Sequence, residues 1–435
     1  MTLFLLALAV RGVYVLVVMR HYHPQSDDMQ YVEMARRFAA GRGIATSFPY
    51  GYLHATAFRP PLYPALLGSW FALVGGSVGS AQVLNVTLGS CVVTGAGVLA
   101  ARLGCRTAGL VTAGLVAVYP PLLANDGAVL SEPMALLLLI GVLVALLDDR
   151  AWLVGILVGL LVLTRPSAQL AVPVLALLLW RRAGGRRAVV LVLAAAVVVL
   201  PWVVRNDVKV GRPVIVTSNG FNLAATWSPQ ALRSGRFIDA YFDPAFAGIR
   251  GDIEQPGHLQ EGPVDARFRA EGLRGLRGNL GLVPGRLLTN AAYLFDVGWH
   301  NTDSAEVKDG RSLLVRHAGL PLAWAVCLLG AVGLWRLRRH PDGLALLVVA
   351  GYFVAVALVA VSPPRLRAPF DLLACVSVGV LVAQLWERRR GRRDWDALLP
   401  YGEDDLAGSE RADEAAGPAT VGAHAREPGF VGGPS

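Results

Sequence analysis

Long apolar runs alternate with short polar stretches through most of the chain. A helix that crosses a bilayer needs about 20 predominantly apolar residues, and the sequence has runs near this length at 2–19, 78–101, 107–124, 132–148, 188–204, 318–335, 342–361 and 369–386. The apolar run 151–180 is longer and is interrupted by Thr164-Arg165-Pro166-Ser167. Because Pro166 disfavours helix at the residue before it, this run predicts a hairpin of two short helices with Arg165 near its tip. The pattern therefore predicts ten crossings.

Arginine clusters assign a side of the membrane to each predicted loop. With ten crossings, the clusters all fall on one side, which the positive-inside rule makes the cytoplasm; they are Arg102 with Arg106, Arg150, Arg181/Arg182/Arg186/Arg187, Arg336/Arg338/Arg339, and Arg388–Arg390 with Arg392 and Arg393. Both termini are then cytoplasmic, whereas residues 20–60 and 205–316 face outward. The run 61–74 is too short to span, and counting it would reverse every later cluster. We therefore interpret it as a re-entrant or interfacial helix in the first outer loop.

The composition supports an all-α polytopic membrane protein and excludes several other classes. Hydrophobic residues make up 54% of the chain and charged residues 16%, whereas about 25% is typical of soluble domains. The formal charge of +9 comes largely from arginines that flank apolar runs, so no nucleic-acid partner is expected. The sequence has no phosphate-binding GxxxxGK[ST] run, and His21-x-His23 is a weak spacing for a metal. We expect no cofactor; a divalent metal is an open alternative that no motif indicates.

The first outer loop carries two adjacent carboxylates, Asp27 and Asp28, directly after the first predicted span. Apolar residues at helical spacing, beginning with Tyr31, predict a helix that starts near Asp28 and stops at Gly41. Asp27 has two interpretations. It is either a general base facing a cavity in the bundle, or the N-cap of this helix, because Gln30 three residues on completes a capping-box pattern.

Further charges gather at the outer ends of the predicted helices. Arg59 precedes a proline-rich turn, and Glu132 follows Ser131 at the mouth of a span, where it also suits the helix dipole. Arg165 lies within an apolar stretch, where a charge is costly unless it faces the bundle or water. Arg365 and Arg367 lie on the outer side, and their guanidinium groups suit phosphate oxygens. Snorkelling and headgroup contacts are the alternative interpretations of these arginines.

These charges fit one reaction well. A sugar linked to a polyprenyl phosphate has a leaving group that departs without a proton and is stabilised by positive charge. The acceptor hydroxyl needs a base, which one carboxylate supplies. Direct displacement of this kind inverts the anomeric configuration.

The sequence resembles the membrane glycosyltransferases with the C-type (GT-C) fold, family 39-like, and above all the bacterial relatives of protein O-mannosyltransferases and of lipid A aminoarabinose or galacturonic acid transferases. The resemblance covers residues 1 to about 390. It rests on an ordered set of motifs: Asp27-Asp28 before Tyr31 and Gly41, Arg59-Pro60-Pro61-Leu62-Tyr63-Pro64, Leu130-Ser131-Glu132-Pro133, Leu163-Thr164-Arg165-Pro166-Ser167, Pro201-Trp202-Val203-Val204-Arg205-Asn206, Ser218-Asn219-Gly220-Phe221-Asn222-Leu223 and Arg365-Leu366-Arg367-Ala368-Pro369-Phe370.

The resemblance implies an inverting transferase that moves a sugar from a polyprenyl-phosphate donor to a protein, lipid or glycan acceptor outside the plasma membrane. The implied catalytic carboxylates are Asp27, Asp28 and Glu132. Arg365 or Arg367 would hold the donor phosphate, with Arg165 and Arg59 beside it. The implied substrate-binding residues are Tyr31, Tyr63, Asn219 and Asn222. A transporter or flippase for a lipid-linked or anionic solute, and a scaffold without activity, are the alternatives.

The predicted organisation has four parts. Residues 1–204 form a transmembrane catalytic module that includes the first outer loop, and residues 205–316 form the extracytoplasmic segment. Residues 317–390 supply the last transmembrane helices. Residues 391–435, rich in Gly, Ala, Pro and acidic residues, are expected to be a disordered cytoplasmic tail.

Overall fold

Helices follow the apolar runs throughout the computed structural model, which describes residues 2–48, 51–239, 242–250, 260–298, 302–360 and 363–389. The first half contains α1 (Thr2–Val13, continued by a π-helical turn over Tyr14–Val18), α2 (Asp27–Ala39), α3 (Leu62–Val74), α4 (Val78–Leu103), α5 (Arg106–Val118), α6 (Pro120–Gly127), α7 (Glu132–Leu147), α8 (Ala151–Val162), α9 (Ala171–Ala183) and α10 (Gly185–Val210). Two short strands, β1 (Ala45–Thr46) and β2 (His54–Ala55), pair antiparallel with Ala45 opposite Ala55.

The second half contains α11 (Asn219–Trp227), α12 (Pro229–Ser234), α13 (Ala247–Arg250), α14 (Glu261–Gly278), α15 (Val283–Leu294), α16 (Asp303–Lys308), α17 (Leu313–Leu337), α18 (Pro341–Val359) and α19 (Ala368–Arg389). Short 3-10 turns cover Pro166–Ala168, Pro244–Phe246, Leu280–Leu282 and Pro364–Arg367. The predicted all-α polytopic membrane class is confirmed. The predicted tail beyond the last helix lies outside the described residues, and the four-part division of the chain stays a prediction.

The predicted number of crossings is not confirmed. Five helices among the described residues are long and apolar enough to span a membrane: α4, α10, α17, α18 and the continuous helix Pro364–Arg389. The predicted span 107–124 is bent by 57° between α5 and α6 and would add a sixth. The bend lies at Tyr119, because Pro120 and Pro121 cannot continue the hydrogen-bond ladder of α5. The helices Thr2–Val18, Glu132–Leu147 and Ala151–Val162 are apolar but shorter.

The predicted break in the run 151–180 is confirmed. Helix α8 ends at Val162 and α9 begins at Ala171, so Arg165 lies in the intervening turn. Both helices pack on α10: a Cβ added to Gly155 would lie 2.3 Å from the Leu191 carbonyl oxygen, as expected where small residues allow helices to approach closely. The link from α9 to α10 is Gly184 at φ +87°, a backbone conformation that favours glycine.

The segment predicted to form the first outer loop packs against the ends of the membrane helices. The predicted helix is α2, and the run 61–74 forms the separate short helix α3, which packs against it. The contact is close, since a Cβ added to Gly68 would lie 2.8 Å from the Ala35 carbonyl oxygen. Glu261 of α14 ties this loop to the outer segment: its carboxylate accepts hydrogen bonds from the Ala57 N–H at 2.9 Å and the Thr217 hydroxyl at 2.7 Å.

Candidate functional site

Segments far apart in the chain bring three arginines and three carboxylates into one cluster, which we call the charge cluster. Each member comes from the end of a helix or from a turn, where the side chain can leave the apolar packing of the bundle. The members are Asp27 at the start of α2, Arg59 before α3, Glu132 at the start of α7, Arg165 in the turn after α8, Asp309 before α17, and Arg365 in the turn before α19.

Asp27 is held between two arginines. Arg59 donates to its Oδ1 and Arg365 to its Oδ2, and Gln30 holds Arg59 through a hydrogen bond of 3.0 Å from Nε. Burial raises the pKa of Asp27, but Arg59 and Arg365 outweigh burial and hold the pKa below its ordinary value. The interpretation of Asp27 as the N-cap is wrong, because Ser26 is the N-cap and the Asp27 carboxylate binds arginines.

Asp28 has a different environment. Its carboxylate accepts hydrogen bonds from the Tyr22 hydroxyl at 2.5 Å and from the backbone N–H groups of Gln25, Ser26 and Met29 at 2.8–3.0 Å. The Tyr22 hydroxyl in turn accepts from the Val129 N–H at 3.0 Å. Asp28 therefore fastens the turn before α2 to the loop before α7, and it lies outside the charge cluster.

Glu132 and Arg165 form the second ion pair of the cluster, with 2.9 Å between Glu132 Oε1 and Arg165 Nη1. Arg165 has an extended backbone, φ −137° and ψ 126°, which the following proline enforces and which interrupts the helix. Arg165 also donates to the Ser131 hydroxyl at 3.2 Å, and Tyr31 contacts the same hydroxyl at 3.2 Å. Glu132 is 3% exposed.

Arg365 is the centre of the cluster. Besides Asp27, it faces Glu132 Oε1 at 3.7 Å from Nη1 and Asp309 Oδ2 at 3.0 Å from Nε. Burial raises the pKa of Asp309 to about 7; Arg365 lowers it, whereas the like charge of Asp27 raises it. Sequence reasoning missed Asp309 because no motif surrounds it. The available signal was a carboxylate nine residues before the predicted apolar run 318–335, on the predicted outer side.

A small cavity opens beside these groups. Its polar end is formed by Glu132, Arg165, Ser167 and Arg365, and its remaining wall is apolar, formed by Ala135, Leu136, Leu139, Leu161, Phe353, Leu366, Ala368 and Pro369. Among the described residues, Glu132 Oε2 and Arg365 Nη1 have no hydrogen-bond partner, whereas Glu132 Oε1 and Arg365 Nε lie 2.9 Å and 3.0 Å from Arg165 and Asp309. Buried polar atoms without partners are rare in folded proteins, so the two unpartnered atoms are positioned to bind a ligand.

Arg367 lies apart from the charge cluster although it shares a 3-10 turn with Arg365. It is 1% exposed, and its Nε donates to Asp371 at 2.9 Å while Nη1 donates to the Leu294 carbonyl at 2.8 Å. Nη1 also lies 3.3 Å from Asp296 Oδ2. The two arginines that the sequence could not distinguish therefore bind different carboxylates.

The four predicted substrate-binding residues occupy different positions. Tyr31 borders the charge cluster through Ser131, whereas Tyr63 is completely buried and donates to Asn85 Oδ1 at 2.8 Å. Asn219 begins α11 and donates to Gln169 Oε1 at 3.2 Å, next to the turn that carries Arg165. Asn222 lies one turn further along α11.

The side chains of the charge cluster do not indicate a metal-ion site. Within the described part of the chain, no group of three or more His, Cys, Asp or Glu residues is arranged to hold a metal ion. Asp27, Glu132 and Asp309 approach one another, but Arg365 lies between them.

Comparison with known proteins identifies the fold. No protein-family model matches the sequence, and no curated protein matches it. The archaeal oligosaccharyltransferase AglB from Archaeoglobus fulgidus, in complex with an inhibitory peptide and a dolichol-phosphate, aligns with 95% of this chain at 15% identity and a TM-score of 0.50. The same enzyme in complex with Zn and sulfate aligns with 94% of the chain at 15% identity and a TM-score of 0.52. The chain has a GT-C fold.

The structural alignments include nearly the whole of this chain but only part of the archaeal chains. The chain spans about half the length of the archaeal enzymes, 54% and 52% in these two structures. ArnT from Cupriavidus metallidurans bound to undecaprenyl phosphate aligns with 88% of this chain and 79% of its own at 18% identity and a TM-score of 0.41. The archaeal alignments confirm, for the fold, the resemblance seen in the sequence motifs.

Proposed function

We propose that this protein is an inverting glycosyltransferase that moves a sugar from a polyprenyl-phosphate donor to a hydroxyl of a protein, lipid or glycan on the outer face of the membrane. The observation that carries the proposal is the cavity in which the guanidinium groups of Arg165 and Arg365 meet an apolar wall. A prenyl phosphate has the same two parts, an anionic head and an apolar chain. An archaeal neighbour with the same fold was solved with dolichol-phosphate, which supports this choice of donor class.

We propose that the donor phosphate binds Arg365 and Arg165. Arg365 lines the cavity, and its Nη1 lacks a hydrogen-bond partner among the described residues, so a phosphate oxygen would supply that acceptor and could replace Asp309 at Nε. Charge-assisted bonds between guanidinium and phosphate are among the strong hydrogen bonds of proteins. The prenyl chain then follows the leucine-rich wall, where Leu136 and Leu139 of α7 face Phe353 of α18.

Asp27 is the proposed general base. The acceptor oxygen attacks the anomeric carbon and gives its proton to the Asp27 carboxylate, while the bond from that carbon to the phosphate oxygen breaks and the phosphate leaves with the electron pair. Arg365 and Arg165 stabilise the charge that develops on the phosphate. Asp27 is ionised at neutral pH, as a base must be, because the two arginines hold its pKa low.

Donor binding would also make Asp27 a stronger base. In the empty site Arg365 donates to Asp27, which lowers the affinity of this carboxylate for a proton. A phosphate that takes over Arg365 removes part of this stabilisation, so the pKa of Asp27 rises towards the range in which general bases work efficiently. The low pKa of the empty site is therefore compatible with catalysis.

Replacement of Asp27 by Asn tests the proposal. General-base catalysis contributes about 10²–10⁴ in rate, so Asp27→Asn should lower transfer by about this factor while the amount of folded protein stays nearly constant. Asp207→Asn, the same change at an exposed position of α10, is the matched control. The readout is mass analysis of envelope glycans and glycoproteins in a deletion strain complemented by each variant.

Two outcomes would contradict the proposal. If Asp27→Asn supports full transfer, Asp27 is not the base. If no change in the charge cluster alters glycans while movement of a sugar-linked lipid across the membrane depends on the protein, the transporter interpretation is correct instead.

A further inference from the structure

The charge cluster contains as many arginines as carboxylates, and this balance limits the net charge that the cluster can carry when a donor binds. Arg59, Arg165 and Arg365 face Asp27, Glu132 and Asp309. A phosphodiester adds one negative charge to this buried cluster. Because an unbalanced buried charge is costly, the protein must neutralise one of its own carboxylates when the phosphate binds.

Asp309 is the carboxylate that loses most when the phosphate takes Arg365. Asp27 keeps Arg59, and Glu132 keeps Arg165 at 2.9 Å. Among the described residues, Asp309 has an ion pair with Arg365 at 3.0 Å and with no other basic side chain. Asp309 is 5% exposed, so water cannot replace the lost counter-ion.

Asp309 is also fixed in position, so its carboxylate cannot move out to solvent when the ion pair with Arg365 is lost. The next residue, Gly310, has a φ of +70°, and a Cβ added there would lie 2.2 Å from Cε2 of Tyr22. The ring of Tyr22 thus closes over the turn, and its hydroxyl is itself bound to Asp28. On the other side, Arg311 is committed to Glu306 at 2.7 Å.

We propose that Asp309 is a positioning residue that holds Arg365 in the empty site and takes up one proton when a donor phosphate binds, so that the loaded site stays neutral. This inference rests on the proposed function and adds a proton-coupled step to donor binding. The proton comes from solvent, forms an O–H bond on the Asp309 carboxyl, and returns to solvent when the phosphate leaves.

The groups around Asp309 agree with this assignment. Burial raises the pKa of Asp309 to about 7, Arg365 lowers it, Asp27 and Glu306 raise it, and Arg311 lowers it. Loss of the Arg365 interaction on binding would raise the pKa further. Since the bound state then holds more protons than the free state, phosphate affinity is highest below about pH 7 and falls as the pH rises.

The experiment measures binding of a farnesyl methyl phosphodiester to the purified full-length protein in detergent. This probe has a prenyl chain and carries one negative charge over the whole pH range, so its own titration does not interfere. Affinity is measured between about pH 6 and about pH 8.5, on either side of the raised pKa of Asp309, which is about 7. Calorimetry in buffers with different ionisation enthalpies counts the protons taken up.

The expected result is proton uptake by the native protein that rises towards one as the pH increases above about 7, with an affinity that falls towards tenfold per pH unit over the same range. Asp309→Asn should take up no proton and bind with little dependence on pH, whereas Asp309→Glu should restore both properties. Asp207→Asn is the matched surface control.

Native protein that binds the probe without taking up a proton would overturn the inference, even if Asp309→Asn did not fold. The same proton uptake in Asp309→Asn would also overturn it, and in both cases the proposed function would stand. If the native protein and Arg365→Gln are equally unable to bind the probe, the inference and the proposed function fail together.

Discussion

Replacing Arg365 and Arg367 separately by Gln should produce two different defects, although only Leu366 separates the two residues in the sequence. Arg365 lines the cavity, and its Nη1 lacks a hydrogen-bond partner in the part of the chain that the structure describes. Hydrogen bonds to charged groups contribute about 1.5–3 kcal/mol, and about 1.4 kcal/mol corresponds to tenfold in binding. Arg365→Gln should therefore weaken binding of the phosphodiester probe by about 10- to 100-fold.

The cost of Arg365→Gln to stability should be small. Asp27 keeps its contact with Arg59, and Asp309, whose pKa is about 7, can take up a proton instead of remaining as an unpaired charge. The charge cluster can thus lose this arginine without leaving two isolated carboxylates in the protein interior.

Arg367→Gln should instead destabilise the protein. Arg367 is the one basic partner of Asp371 within the described residues, at 2.9 Å, and both side chains are 1% exposed. Removing one member of a buried ion pair typically costs about 3–5 kcal/mol, because the other charge stays buried and uncompensated. Binding of the probe by the protein that remains folded should change little.

The assay combines thermal unfolding in detergent, followed as loss of the monodisperse species, with probe binding at a temperature where both variants are folded. Arg367→Gln should have the lower unfolding temperature and Arg365→Gln the weaker binding. If Arg367→Gln kept native stability and lost probe binding, the division of the two arginines between separate clusters would be refuted.

Two other predictions concern the bundle and its orientation. Asp126→Asn should lower the unfolding temperature strongly, because Arg11 is 1% exposed and its ion pair with Asp126 at 2.6 Å would be lost. The double variant Arg11→Leu, Asp126→Leu should recover most of the lost stability. Failure of the double variant to recover stability would contradict the ion-pair explanation. In a cysteine-free background, Ser234→Cys should react with an impermeant reagent in intact cells and Gly185→Cys should not, because the positive-inside rule predicts that the arginine-rich α9–α10 turn is cytoplasmic. The reverse pattern would contradict the predicted topology.

Local patterns in the sequence were sufficient for the elements that carry the site. The start and end of α2 followed from apolar spacing and Gly41, and the turn that holds Arg165 followed from Pro166. In each case the relevant interaction is between residues a few positions apart. The number of crossings was harder to predict, because hydropathy measures composition and not direction, and the bend of 57° at Tyr119 is not visible in it.

The ion pairs between distant segments could not be predicted from the sequence. Asp27 and Asp28 are adjacent on α2, and neighbours on a helix point in different directions, so one binds two arginines and the other fastens a turn. Which of the two has which role depends on Arg365, 338 positions away. Asp309 was missed for the same reason, because it becomes part of the site only through a partner supplied by another segment.

The connection between the two buried clusters explains why the site can be built from turns. Asp309 and Arg365 belong to the charge cluster, and residues two positions later, Arg311 and Arg367, belong to a second network with Glu306 and Asp296. Each turn is therefore fastened on both sides of its backbone. Buried ion pairs add little net stability but require a specific geometry. We infer that the second network serves to fix the positions of Arg365 and Asp309, because without it both turns would be free to adjust when the phosphate enters, and the proton-coupled exchange of partners at Arg365 would lose its rigid frame.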